Sequence, residues 1–159
     1  MATLHLMVGL PCSGKTTLAR QLEETYSALR LNMDDWHTQL FGQDAEEEQH
    51  DARHVLIETM LWGIAARVLV LGVNVILDFG FWARSEREDY RTRAAQLGAG
   101  SEIHYLDVPY AVLLERLAMR NAQLPQGAFY ISETKFESYL PFFQPPTLDE
   151  LKPRGKQGL

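Results

Sequence analysis

Short runs rich in Leu, Val and Ile alternate along the chain with longer stretches in which apolar residues recur every three or four positions. This alternation predicts strands joined by amphipathic helices. The first strand covers Thr3 to Val8, and a helix over about 14–24 follows a turn, with Leu18 and Leu22 at i, i+4 directed inward. A second strand over 28–33 ends at Asp34, and a short helix runs from Asp35 to Phe41, where Gly42 stops it. A long helix over about 45–71 takes Asp44 as its cap and Glu46 to Glu48 as acidic residues in its first turn. Its Ile57, Met60, Leu61, Ile64, Ala65 and Val68 keep the helical spacing. Val73 to Leu77 forms a third strand ending at Asp78, and Ser85 with Glu88 gives a capping box for a helix to about Leu97. A fourth strand covers 102–106, Pro109 opens a helix to about Arg120, and Ser132 caps a last helix from Glu133 to Leu140. Strands alternating with helices imply a mainly parallel sheet with helices on both faces, an α/β architecture of three layers.

The length of 159 residues fits one domain, over 1–150, and the proline- and charge-rich end makes 151–159 a frayed tail. Hydrophobic residues at 46% and charged residues at 23% supply an ordinary core, which excludes disordered and disulfide-scaffold classes. Fifteen Lys and Arg stand against 21 Asp and Glu, and three of those cations fall in the last eight residues. The acidic remainder disfavours a broad nucleic-acid-binding face. The single cysteine and the absence of a basic, apolar leader at the N-terminus predict a cytoplasmic protein. The most apolar window, 55–72, contains Glu58 and Arg67 and reads as a core helix, so no membrane span is expected.

Residues 9–16, GLPCSGKT, match G-x-x-x-x-G-K-[ST] between a predicted strand and a predicted helix, which is the context a phosphate-binding loop requires. Here the residues expected to cradle a nucleotide are Gly9, Pro11, Cys12, Ser13, Gly14, Lys15 and Thr16, followed by Thr17. Inward-pointing backbone N–H groups and a helix N-terminus hold the anion, Lys15 supplies charge to the terminal phosphates, and the Thr16 hydroxyl serves Mg²⁺. ATP and Mg²⁺ are therefore the expected cofactors. Asp78 is followed by Phe79 rather than a Glu able to polarise water, no N-K-x-D motif reads guanine, and no H-R-D loop accompanies the Asp78-Phe79-Gly80 triplet.

Asp34 and Asp35 close the second strand, whose carboxyl end shares a crevice with the loop, so a carboxylate there can accept a hydroxyl proton as that hydroxyl attacks phosphorus. The alternative is that either residue merely caps the next helix. Arg116 and Arg120 lie i, i+4 before the polar loop NAQLPQG, a candidate lid over about 120–130 whose arginines would neutralise the transferring group. Arg84 and Arg87 either face substrate or occupy a solvated helix face. His50 and His54, also i, i+4, read as an exposed helix face rather than a metal site. Trp36, Phe79, Phe81 and Trp82 form either an apolar acceptor pocket or core, and Phe142, Phe143 and Pro145 are candidates to stack near the adenine.

The segments GLPCSGKT, NMDDWHTQLFG, VILDFGFWARSERED and LDVPYAVLLERLAMRN, in this order and spacing, resemble the P-loop kinases that include the kinase domain of polynucleotide kinase, zeta toxins and chloramphenicol phosphotransferase. The resemblance spans about residues 3 to 150. It implies a P-loop nucleoside triphosphate hydrolase fold and a general base at Asp34, with Lys15 and Thr16 on phosphates and magnesium. It also implies Arg120 as a lid arginine on the transferred phosphate and Asp78 as an active-site aspartate, expected to serve metal or substrate, while Arg116, i, i+4 from Arg120, is expected on the nucleotide. Asp35, His37 and Arg84 become substrate-side residues, although His37 departs from the arginine that polynucleotide kinases carry there. The expected activity is transfer of the γ-phosphoryl of ATP to a hydroxyl of a small molecule. A polynucleotide or nucleoside 5′-hydroxyl kinase is the nearest rival, and an ATP-sensing binding module without an acceptor is the rival of another class.

Overall fold

The computed structural model describes residues 1–155. Its elements are β1 (Thr3–Val8), α1 (Lys15–Tyr26), β2 (Leu29–Asn32), α2 (Met33–Phe41), α3 (His50–Val70), β3 (Val75–Gly80), α4 (Arg84–Gln96), β4 (Gly100–Tyr105), α5 (Tyr110–Ala122) and α6 (Glu133–Tyr139). The strands lie in the order β2-β3-β1-β4, and every neighbouring pair is parallel. Every strand therefore points its carboxyl end at the same edge, where β1 passes into the phosphate-loop sequence.

Alternation along β1 builds the layers, because successive side chains leave a strand on opposite faces. Leu4, Leu6 and Val8 enter the main core with Ile57, Leu61, Ala65 and Leu69 of α3 and Tyr90 and Ala94 of α4. Met7 and Ile76 face the other way and pack against Ala19, with Leu18 and Leu22, on α1. The expected three-layer α/β fold is present. Among the described residues no helix is long and apolar enough to cross a membrane.

Several boundaries and side-chain directions differ from the sequence reading, each for a packing reason. The α3 helix begins at His50 rather than 45, because Asp44 does not cap it: the Asp44 carboxylate is buried and bonded by His37, His50 and Arg53. Met60 is half exposed despite its spacing. Ser85 makes no capping box, since α4 starts after Ala83 and Glu88 instead pairs with Arg154 at 2.6 Å. Arg87 is no surface residue, for its guanidinium is fully buried, 2.8 Å from Glu150, and also donates to the carbonyls of Phe81 and Trp82. Residues 147–155 are likewise not a frayed end. Glu150 takes Arg87, the Arg91 guanidinium donates to the carbonyls of Glu150 and Lys152, and Arg154 forms an antiparallel bridge with Ser101. The rest of the expected tail, 156–159, lies outside the described residues.

Candidate active site

Between β1 and α1 the chain turns through left-handed conformations at Cys12 and Gly14, with φ of 67° and 95°. Gly9 donates its N–H to the Gly80 carbonyl at 3.1 Å, which ties the start of the loop to the end of β3. A Cβ on Gly9 would lie 2.5 Å from Ser13 Oγ, so a side chain there would force the Ser13 hydroxyl to turn away. Lys15 donates to the Leu10 carbonyl at 2.8 Å, across the concavity of its own loop. Burial lowers the Lys15 pKa, with the Arg120 charge adding to that effect and the carboxylates of Asp78 and Asp34 opposing it. The group is thus a desolvated cation flanked by two carboxylates, and a phosphate can take over that pairing.

Asp78 sits on β3 opposite Asn32 of β2. It accepts from Thr16 Oγ1 and from Asn32 Nδ2, each at 2.8 Å, and Arg30 lies 3.9 Å away. Asn32 also caps α2, its Oδ1 accepting the Asp35 N–H at 2.8 Å. A single side chain therefore fixes the Asp78 carboxylate and the start of α2. Because Asn32 is the cap, Asp34 and Asp35 lie in the first turn of α2 rather than at the strand end. Their directions differ. Asp34 faces the cavity, and its carboxylate has no hydrogen-bond partner among the described residues. Burial raises its pKa, while the charges of His54, Lys15 and Arg120 hold it down. Asp35 lines the cavity beneath the α5–α6 connection, where a Cβ on Gly127 would meet Asp35 Oδ1 at 2.5 Å.

That connection, residues 123–132, covers one side of the cavity. Gln43 donates to the Ala128 carbonyl and accepts the Tyr130 N–H, and the Arg120 guanidinium donates to the Phe129 carbonyl at 2.9 Å. Arg120 Nη1 also lies 3.8 Å from Cys12 Sγ, and Arg116 donates to the Cys12 carbonyl at 3.2 Å. Both arginines thus reach the phosphate loop from α5. The cavity bounded by these elements has a volume of about 1580 Å³ and is lined by every residue expected to cradle the nucleotide except Gly9, Thr17 included, and by Arg116 and Arg120.

Two predicted substrate residues do not reach it. His37 is completely buried with its ring 2.8 Å from Asp44, so it supports α2 from behind. Arg84 is exposed and is not part of the lining, and only its backbone N–H is engaged, by Gln144. His50 and His54, expected on an exposed face, turn inward instead: His50 donates to Asp44 at 2.7 Å, and both line the cavity. Trp36 and Phe81 belong to the core, although Phe81 also reaches the cavity wall with Phe79 and Trp82. Phe143 stacks near Tyr105 and, with Pro145, lines a separate small cleft. Phe142 is exposed. The sequence reading missed Asn32, His54, Glu58, Glu86 and Tyr139, all cavity-lining. The i, i+4 spacing of His50, His54 and Glu58 carries the relevant signal, being one helix face continuing toward the core.

Cys12 offers a direct probe of the loop. Alkylation of its thiol is expected to weaken ATP binding at least tenfold, with ATP protecting against modification and Cys12→Ser resisting it. Unchanged ATP affinity in a fully alkylated protein would show that the loop does not hold the nucleotide.

The AAA domain family designated AAA_33 matches residues 4–146. Among solved structures, a chain of the Pnkp1/Rnl/Hen1 RNA repair complex aligns over 89% of this chain with 25% identity and a TM-score of 0.72, and this chain spans only 43% of it. A candidate kinase from Chloroflexus aurantiacus aligns over 92% of this chain and 82% of its own, with 21% identity and a TM-score of 0.73. Kti12 from Chaetomium thermophilum in complex with ADP-AlF3 aligns over 91% of this chain and 81% of its own, with 21% identity and a TM-score of 0.67. No curated protein matches the chain by sequence. The extent of the family match and the agreement in fold lead to one conclusion: the chain belongs to the AAA_33 family of AAA domains, with the fold of P-loop kinases.

Proposed function

We propose that the protein transfers the γ-phosphoryl group of ATP to a hydroxyl of a small molecule. The observation that carries this reading is the placement of Asp34, an unbonded carboxylate in the cavity whose pKa burial raises and the nearby Lys15 charge lowers. The phosphate loop and the N-terminus of α1 hold the triphosphate, and Lys15 turns from the Leu10 carbonyl to the terminal phosphates. The hydroxyls and carboxylate of Thr16 and Asp78 are hard oxygen donors beside that cradle, which fits Mg²⁺. When bound there, the ion neutralises charge on the phosphate oxygens. Asp34 accepts the proton of the acceptor hydroxyl as its oxygen bonds to phosphorus, and Arg120 faces the charge that develops. The 123–132 connection serves as a lid that keeps water from competing.

The small-molecule reading rests on the wall facing Asp34. The lining contributed by α2, α3 and α4 includes Asp51, Glu58 and Glu86 and no Lys or Arg, which repels a polyanionic strand. Incubation with γ-labelled ATP and pooled alcohols, followed by mass identification of the labelled pool, tests the proposal. Label in a metabolite or antibiotic pool supports it. Label in a 5′-hydroxyl oligonucleotide, with a steep salt dependence, would support the polynucleotide kinase instead. Tight ATP binding with no label in any pool would point to a nucleotide-sensing module.

A further inference from the structure

The cavity is bipolar. Its cations, Lys15, Arg20, Arg30, Arg116, Arg120 and Lys135, come from the phosphate loop, α1, β2, α5 and α6. The opposite wall presents Asp34 and Asp35 from α2, Asp51 and Glu58 from α3, and Glu86 from α4. None of the guanidiniums borne by those same helices lines the cavity. Arg53 pairs with Asp44 and Glu47, Arg87 is buried against Glu150, and Arg93 pairs with Asp89. Glu58 keeps a neutral donor, the Tyr90 hydroxyl at 2.7 Å. Burial, and then the charge of Glu58, push Glu86 up to about 7. Glu86 lies one turn before Tyr90 on α4 and Glu58 accepts the Tyr90 hydroxyl from α3, so two cavity-lining carboxylates meet beside Tyr90, where a bound cation would relieve their repulsion. Phe79, Trp82 and Tyr139 line the same cavity with aromatic faces, whose quadrupoles also attract cations.

Resting on the phosphotransferase reading, we propose that the acceptor is an alcohol bearing an ammonium group, an amino alcohol or amino sugar, with its hydroxyl at Asp34 and its ammonium held by Glu58 and Glu86. His54, whose charge acts on the Asp34 carboxylate, and Glu58 lie four residues apart on α3, a rise of about 6 Å along the helix, and both line the cavity. In the reaction the hydroxyl oxygen forms a bond to the γ-phosphorus, its proton passes to the Asp34 carboxylate, and the bond from phosphorus to the β–γ bridging oxygen breaks. ADP leaves with that electron pair, and the ammonium keeps its protons.

Matched acceptors give the test. With γ-labelled ATP at constant ionic strength, aminobutanol is expected to show a KM at least tenfold below that of butanediol, and glucosamine below that of glucose. The double variant Glu58→Gln, Glu86→Gln is expected to erase the preference by raising KM for the amines alone. Its ATP affinity, set at the other end of the cavity, shows whether it is folded. Equal KM for amine and diol in the wild type overturns the inference and leaves the phosphotransferase reading standing, as does an undiminished preference in a folded double variant. Should no alcohol take label, the phosphotransferase reading fails, and calorimetry with aminobutanol in the presence of ATP decides the cation site separately. Binding that disappears in the double variant upholds the site, and absent binding overturns it.

Discussion

Asp34→Asn is expected to lower turnover by about a hundred- to ten-thousandfold, the range that a positioned general base contributes, while ATP affinity stays near that of the wild type. The substitution keeps the shape of the side chain and the start of α2, which Asn32 and not Asp34 caps. It removes only the ability to take a proton. Because burial raises the Asp34 pKa above its ordinary value, the carboxylate is a stronger base than an exposed aspartate. The active form is the ionised one, so kcat should rise with pH through that elevated pKa and lose this limb in the variant. Wild-type turnover in Asp34→Asn would remove residue 34 as the base.

A loss of comparable size, in stability rather than rate, is expected for Asp44→Ala. Asp44 is fully buried, and its two oxygens receive His37, His50 and Arg53 within 3.0 Å. Truncation strands those donors in a site that admits little water, which typically costs about 3–5 kcal/mol and lowers Tm on the order of 10 °C for a chain of this size. Burial opposes ionisation of Asp44, but the hydrogen bonds from His37, Arg53 and His50 outweigh it and hold its pKa well below the usual carboxylate range. A carboxylate depressed on folding contributes stability that is present above its unfolded pKa of about 3.9 and is lost as pH falls toward the folded value. The wild type should therefore lose stability below about pH 4 more steeply than Asp44→Ala, and parallel acid melting curves would contradict this. The variant should also lose turnover, because Phe129 of the 123–132 connection packs edge-on against His37 and His50.

The phosphate loop, the strand–helix alternation and the parallel sheet were legible because each depends on local chemistry. Gly9, Gly14, Lys15 and Thr16 act through backbone geometry and charge within eight residues, and the core face of β1 follows from period-two alternation. The candidate Asp78 was also legible, because strand ends converge at one sheet edge, and the candidate Arg120 because it follows Arg116 at i, i+4 before a polar loop.

Charged and imidazole side chains far from the loop were another matter. Arg87 and Glu150 are 63 positions apart, and each looks like an ordinary surface residue until the other neutralises it. His37, Asp44 and His50 belong to α2, a loop and α3, and nothing in their spacing says that they meet inside the fold. The sequence alone determined a phosphate-loop motif on a parallel α/β sheet, since local conformation and hydrophobic period dictate both. Only the tertiary structure decided that Asp34 faces the cavity while Asp35 lies under the α5–α6 connection. It likewise decided that His37 supports the site from behind, and that Glu58 and Glu86 line one cavity together. The reason is physical: the cost of burying a charge depends on which distant partner folding brings beside it, and no local pattern records that partner.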